Sequence, residues 1–174
     1  MARFDFTSDC ARPKRCRKLM KKFLEDATTL CKEIDLSEGV FGFCTNLENK
    51  DKSKIIIEYD YSDLNDGAQS KEFCRFFHEK DKVTKGFSEL TLSLLHELGH
   101  NETVSLVPKK YSREKSLRKI KKQTSDFVEL NRLYFNLTDE LMATEWAITW
   151  LRSKNNRKRA KKFERDFFKA WRGE

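Results

Sequence analysis

Apolar residues along most of this chain recur every three or four positions, the spacing that places them on one face of a helix. This periodicity predicts an amphipathic helix over residues 14–34, a short helix near 70–79 and a strongly periodic helix that starts near Phe87. It also predicts a helix over about 138–152 and a last, basic helix that runs to the C-terminus. We therefore expect a mainly helical protein.

A different pattern lies between the first two predicted helices. Residues 39–44 and 54–61 resemble strands, and the second stretch is rich in β-branched and aromatic residues. The polar stretch 45–53 between them is typical of a hairpin loop. A basic connection over 109–133 is predicted to be helical, with a break near 123–125. Together these elements predict an α+β fold with a small β-sheet.

The composition favours one folded domain. The 174 residues can bury a sizeable core, and no internal repeat or low-complexity linker divides them, so we expect a single domain over 1–174. No apolar run reaches the roughly 18–20 residues needed to span a bilayer, and the first residues lack the apolar stretch of a secretory signal. Five widely spaced cysteines without a CxxC pair favour free thiols. These features predict a cytosolic protein without a membrane segment.

Positive charge is concentrated in three basic segments, 12–22, 109–122 and 152–172. They hold 25 of the 36 basic residues and three of the 28 acidic ones, so they carry +22 and the rest of the chain −14. Such segments can bind nucleic acid or another polyanion, or they can be solvated helix faces that balance the acidic remainder. An aromatic stripe in the last segment has helical spacing and is more typical of a packing face. It consists of Phe163, Phe167, Phe168 and Trp171.

The candidate chemistry starts at His96 and His100, which lie four residues apart in the helix from Phe87. Their side chains are about 40° apart around a helix, so two imidazoles can bind one Zn²⁺ at about 2.0–2.1 Å each. Glu97 projects beside the pair and can accept a proton from a water molecule at the metal. The competing interpretation is a histidine pair without metal, although only three histidines occur in the chain. A zinc site also needs a third protein ligand.

Glu140 is the best candidate for that third ligand. It shares a helix face with Ala143 and Ala147, and two alanines allow this helix to approach the histidine helix closely enough for a carboxylate to reach the metal. Asp139 and Glu145 lie on other faces, about 100° and 140° around the helix from Glu140. The alternative role of Glu140 is that of an N-terminal carboxylate stabilised by the helix dipole.

These residues resemble a known group of enzymes. The His-Glu-Leu-Gly-His motif at 96–100, followed by Glu140-x-x-Ala143-x-x-Trp146-Ala147, looks like the gluzincin pattern. It is closest to the ImmA/IrrE-type metallopeptidases, in which HExxH is followed by ExxAxxFA on a later helix. The resemblance covers roughly residues 50–151 and implies a zincin-like domain. It implies zinc ligation by the two histidines and Glu140, and a general base at the glutamate of the motif, Glu97.

The sequence departs from that pattern in places. Met142 stands where such proteins often have a second Glu, and Thr144 where an Asn or Asp is frequent. A working peptidase also needs a group that stabilises the oxyanion, for which Tyr134, Tyr111 and His78 are candidates.

The motif and the resemblance together predict a zinc-dependent metallopeptidase that hydrolyses a peptide bond in an intracellular protein. One zinc ion per chain is its expected cofactor. The basic segments support an alternative of another class: a nucleic-acid-binding or partner-binding protein whose zinc site is structural or vestigial.

Overall fold

A computed structural model describes residues 13–27, 33–34, 54–55 and 68–174. Within these ranges the chain forms seven α-helices and one pair of very short strands. The helices are α1 (Pro13–Ala27), α2 (Ala68–Lys80), α3 (Glu89–Thr103), α4 (Arg113–Gln123), α5 (Phe127–Phe135), α6 (Thr138–Arg152) and α7 (Lys154–Arg172). Short 3₁₀ turns follow α2 and α3, at Lys82–Thr84 and Val104–Leu106.

The predicted α+β fold class with a small β-sheet is wrong for the described residues, which are almost entirely helical. Their one strand pairing joins β1 (Glu33–Ile34) to β2 (Lys54–Ile55), two residues each, in parallel register. A hairpin between 39–44 and 54–61 would have been antiparallel. Residues 39–44 and 56–61 lie outside the described residues. The prediction failed because β propensity reports how well a residue fits an existing pleated surface, and two paired residues do not provide one.

The helix predictions from periodicity are confirmed for the described residues, except at the end of the first helix. The break expected near 123–125 separates α4 from α5, and Asp126 begins the second helix by accepting a hydrogen bond from the backbone N–H of Glu129 at 2.8 Å. The first predicted helix, 14–34, corresponds to α1 as far as Ala27, and residues 28–32 lie outside the described ranges. Its predicted end is wrong, because Glu33–Ile34 form the strand β1, and apolar spacing alone does not fix where a helix ends.

The chain divides into two compact units, and the first contains α1 and α7. The two helices pack through aromatic rings: Phe23 stacks on Phe163 with 4.3 Å between ring centroids. Phe163 and Phe167 are buried, so these two members of the aromatic stripe form a packing face, as their helical spacing indicated. The lysines and arginines of α7 mostly remain exposed on its other side.

The second unit contains α2 to α6, up to Leu151. Phe76 of α2 stacks on Phe135 of α5 with ring centroids 5.2 Å apart. The core of α3 consists of fully buried leucines: Leu90, Leu92, Leu94, Leu95 and Leu98. Among the described helices of the chain, none is long and apolar enough to cross a membrane. The single-domain organisation stays a prediction.

Candidate metal centre

The candidate site lies within the second unit, on the C-terminal half of α3. Ser88 caps the start of this helix by accepting a hydrogen bond from the backbone N–H of Thr91. The leucines of α3 pack into the core, and the side chains of His96 and His100 on the same helix are also buried. Their exposed fractions are 3% and 8%. Two buried imidazoles need partners, because an unsatisfied polar group in a core costs free energy.

A very close approach between α3 and α6 brings these partners within reach. At Gly99, between the two histidines, a Cβ atom would lie 2.3 Å from the backbone oxygen of Ala143. Ala143 and Ala147 are fully buried at this crossing. Only glycine fits at position 99 without moving one helix, so the small residues set the distance at which Glu140 meets the histidines.

Three potential ligand atoms meet at this crossing. Nε2 of His96 lies 2.9 Å from Oε2 of Glu140 and 3.1 Å from Nε2 of His100. Nε2 of His100 lies 3.4 Å from the same carboxylate oxygen. Glu140 is 2% exposed. Glu97 lies beside the group, since one potential ligand atom from each of His96, Glu97 and His100 falls within 4.8 Å of the others.

Thr144 orients the first of the two imidazoles. Its hydroxyl donates to the backbone oxygen of Glu140 at 2.9 Å, which uses its one proton. The same oxygen lies 3.2 Å from Nδ1 of His96, so it must accept a hydrogen bond from that nitrogen. Nδ1 therefore carries the ring proton, and the lone pair of Nε2 is directed at Glu140 and His100. This is the tautomer that a metal ligand requires.

The second oxygen of Glu140 faces a cation from the basic connection. Oε1 lies 2.6 Å from Nη2 of Arg113 in an ion pair, although it accepts no hydrogen bond. The other guanidinium nitrogen of Arg113 donates to Asp139, and Nη2 also donates to the Tyr134 hydroxyl at 2.6 Å. Tyr111 donates to Asp139 at 2.6 Å. One arginine thus joins two neighbouring carboxylates and a phenol.

Burial and charge shift the pKa values of these groups in different directions. Burial raises the pKa of Glu140, but its polar contacts with the imidazoles of His100 and His96 outweigh burial, and the pKa lies well below its usual range. Burial lowers the pKa of His100, yet its hydrogen bond to Glu140 and the charge of that carboxylate raise it overall. Burial raises the pKa of Glu97 above its ordinary value, against the opposing charges of the histidines. Glu97 therefore differs from Glu140: it is the carboxyl group that binds a proton more readily.

Aromatic rings line the other side of His96. The Phe73 ring meets the imidazole edge to face, with 5.7 Å between centroids, and Phe77 does so at 6.0 Å. Both phenylalanines belong to α2 and are buried. An apolar wall of this kind restricts ring rotation and excludes water from that side, which strengthens electrostatic interactions at the imidazole.

The arrangement fits a four-coordinate metal ion. Ligand atoms at about 2.0–2.1 Å from a tetrahedral zinc are separated from one another by about 3.3 Å. The three atoms of His96, His100 and Glu140 are separated by 2.9, 3.1 and 3.4 Å, so each pair is within about half an ångström of that spacing. Two imidazole nitrogens and a carboxylate oxygen this close together need a cation between them. Two of these atoms can share a proton, whereas all three can bind one divalent ion.

The structure places the three candidates for the oxyanion group differently. Tyr134 contacts Arg113 and is close enough to Glu140 for that charge, after burial, to raise its pKa. Tyr111 is bound to Asp139. His78 lies elsewhere in α2, with Nδ1 2.9 Å from the hydroxyl of Thr84. The geometry thus favours Tyr134 among the three.

Three residues of the site were not predicted from the sequence: Arg113, Asp139 and Thr144. Thr144 could have been found, because it lies four residues after Glu140 and so on the same helix face. Asp139 lies about 100° from Glu140 around the helix, which correctly excludes it from the ligand position but does not exclude its contact with Arg113. Arg113 was one of eight cations in the segment 109–122, and nothing in the pattern distinguished it.

Comparisons of this chain with protein-family models, curated proteins and solved structures found no match. The assignment of the site therefore depends on its own geometry and on the HExxH spacing of residues 96–100.

Proposed function

We propose that this protein is a zinc-dependent hydrolase of the metallopeptidase type. The observation that carries the proposal is the convergence of His96 Nε2, His100 Nε2 and Glu140 Oε2 within 2.9–3.4 Å of one another in a buried site. Glu97 beside them supplies the proton-transfer group that a structural zinc site does not need. Three protein ligands leave one position of a tetrahedral ion open, which is typical of catalytic zinc.

The chain's own residues can perform the proton transfers of amide hydrolysis. A bound zinc ion would polarise a water molecule and the substrate carbonyl. Glu97 accepts the proton of the attacking water and later donates it to the leaving amine, and its raised pKa suits both steps. Tyr134 is the proposed donor to the oxyanion. Burial and the charge of Glu140 raise the pKa of this phenol against the opposing charge of Arg113, so the phenol keeps its proton and can donate a hydrogen bond.

A protein in the cytosol is the proposed substrate. The support is the free thiol of Cys74 together with the resemblance of the motif to ImmA/IrrE-type metallopeptidases, which implies a peptide bond as the target. Burial and the charge of Glu89 raise the pKa of Cys74 to about 11, so this thiol is a poor nucleophile and does not compete with Glu97 for the catalytic role.

Hydrolysis is tested with zinc-loaded protein and a peptide library, with cleavage read by mass spectrometry. Wild type should cleave a subset of peptides, and Glu97→Gln should bind zinc but lose at least about 100-fold in rate, the usual contribution of a general base. Glu145→Gln is the matched control, because Glu145 is an exposed glutamate of α6. Zinc-loaded wild type that cleaves no faster than Glu97→Gln across the library would overturn the enzymatic proposal.

A second candidate function is polyanion binding by α4. Its outer face carries the exposed lysines Lys115, Lys119, Lys121 and Lys122, while Arg118 is paired with Glu114. The helix buries Ile120 on its inner side and exposes no large apolar residue, which suits phosphate contacts better than insertion into a membrane. Binding should weaken steeply as salt rises, and exchanging these lysines for glutamine should reduce the salt dependence. Mobility of DNA and RNA unchanged by the protein at low salt would exclude this function.

A further inference from the structure

Arg113 makes its contacts at the candidate metal centre from a helix that supplies no ligand. The side chain reaches from the start of α4 to α6, where it pairs with both Asp139 and Glu140. It is one-third exposed, whereas the Glu140 side chain is 2% exposed. The arginine therefore closes the solvent side of the Glu140 carboxylate.

The contact with Arg113 gives the two Glu140 oxygens different partners. Oε1 lies 2.6 Å from the guanidinium, and Oε2 lies 2.9 and 3.4 Å from the two histidine nitrogens. A carboxylate can bind a metal through one oxygen or through both. With the guanidinium beside Oε1, Oε2 is the oxygen left to face the metal position.

Asp139 and Tyr134 hold the arginine itself in place. Asp139 accepts a hydrogen bond from Nη1, Tyr111 in turn donates to Asp139 at 2.6 Å, and the guanidinium carbon lies 5.4 Å from the centre of the Tyr134 ring. A lysine could not reproduce this arrangement, because its single ammonium lacks the planar fork that reaches two carboxylates at once. The ion-pair network of Arg113 therefore orients the Glu140 carboxylate.

We propose that Arg113 is a positioning residue that restricts Glu140 to one-oxygen ligation and thereby selects a four-coordinate ion, zinc, over ions that prefer six or more oxygen ligands. The inference rests on the proposed metal site. With one oxygen from Glu140 and one nitrogen from each histidine, the protein offers three ligand atoms, the number of an open tetrahedral zinc site. Mn²⁺, Mg²⁺ and Ca²⁺ favour more oxygen ligands, which a two-oxygen carboxylate would help to supply.

Cobalt(II) provides a direct probe, because its visible absorption is much stronger in four-coordinate than in five- or six-coordinate sites. Cobalt-loaded wild type should show the intense four-coordinate spectrum. In Arg113→Met the Glu140 carboxylate is free to use both oxygens, so the absorption should fall several-fold. Zinc affinity should fall about 10- to 100-fold, the usual effect of removing a residue that orients a ligand. The ratio of zinc affinity to manganese affinity, measured by competitive dialysis, should be smaller in Arg113→Met than in wild type.

Arg118→Met is the matched control. It makes the same exchange on the same helix and also breaks a pair with a glutamate, Glu114, but at the exposed surface. Its cobalt spectrum and zinc affinity should equal those of wild type. If Arg113→Met folds poorly because two carboxylates lose their cation, the double variant Arg113→Met/Asp139→Asn removes one negative charge with the positive one and should show the same spectral change.

The outcomes separate this inference from the proposed function. Wild type that binds neither cobalt nor zinc would overturn the metal site itself. Wild type with a four-coordinate spectrum that Arg113→Met and the double variant both retain would overturn the role of Arg113 and leave the metal site standing. A spectral change of equal size in Arg118→Met would also overturn it, since the effect would then be a general one of surface charge.

Discussion

The α1–α7 pair and the α3–α6 pair are both helix contacts, but they are built in opposite ways. The first meets through large rings, with Phe23 stacked on Phe163, and it directs its many cations to solvent. The second meets through the smallest residues, Gly99 against Ala143, and it buries two histidines and a glutamate. The first contact is centred on apolar rings, and the second encloses charge.

The difference shows what each contact is suited to do. Stacked rings hold the helix axes apart and remove apolar surface from water. This stabilises the pair and leaves no polar group of the rings that needs a partner. A glycine–alanine crossing contributes little apolar area, and it places polar groups where water cannot satisfy them. Such a crossing is stable only if the polar groups satisfy one another or share a bound ion. The α3–α6 contact is therefore the place where function is expected.

The largest effect is expected from Phe163→Ala in the aromatic contact. Removal of the buried ring should lower the free energy of unfolding by about 3–5 kcal/mol, as measured by denaturant titration. Zinc binding at low temperature should be unchanged, because the ligand contacts described above all lie within residues 68–151. Phe168→Ala on the same helix, where the ring is only partly buried, should cost less. An equal loss of unfolding free energy in the two variants would show that the stack of Phe163 on Phe23 does not contribute more than a partly buried ring.

Gly99→Ala should destabilise the protein, although exchanging glycine for alanine within a helix usually stabilises it. In an exposed helix it would stabilise by about 1 kcal/mol, since alanine is the better helix former. Here the new Cβ would lie 2.3 Å from the Ala143 oxygen, so overpacking should give a net loss of about 2 kcal/mol and weaken zinc binding. Because the clash is with backbone, a second change, Ala143→Gly, should not restore stability. Rescue by that second change, seen in thermal unfolding, would contradict the close crossing.

Thr144→Val should weaken zinc binding with little change in fold. Valine has nearly the same shape as threonine but cannot accept the hydrogen bond from Nδ1 of His96. Zinc affinity should fall about 10-fold, as measured by competition with a chelating dye. Thr149→Val is the control, since Thr149 is an exposed threonine on the same helix, α6. Identical affinities in the two variants would show that the hydroxyl does not orient the imidazole.

The smallest effect is expected at the outer face of α7. Lys162 pairs with Asp166 at 3.2 Å one helical turn away, with most of the lysine side chain exposed. Lys162→Gln should change the free energy of unfolding by no more than about 0.5 kcal/mol, because exposed ion pairs are weak. A change above about 1 kcal/mol in denaturant titration would show that the outer charges of this pair are structural.

The part of the site that follows helical periodicity could be predicted from the sequence. His96 and His100 are one turn apart, and Glu140 shares its face with Ala143, so both sets of positions are consequences of a 3.6-residue repeat. The small residues also indicated the close crossing that Gly99 and Ala143 form.

The remainder of the site depends on contacts between helices, which no periodic pattern in the sequence predicts. Arg113 and Asp139 lie 26 residues apart on different helices, and an ion pair over that separation is set by how the helices pack. The predicted strand over 54–61 is described only at Lys54–Ile55, and its pairing with Glu33–Ile34 could not be predicted for a related reason, because the propensity of one segment does not identify its partner strand. Local patterns therefore identified the ligand candidates but not the residues that orient them.

The most direct test of the central claim is a zinc titration of wild type at neutral pH, with bound metal counted after equilibrium dialysis. The account predicts about one zinc per chain, with tight binding lost in Glu140→Ala and kept in Glu97→Gln. Glu145→Ala, on the exposed side of the same helix, should bind like wild type. Purified wild-type protein that contains no metal and takes up no added zinc would contradict the account.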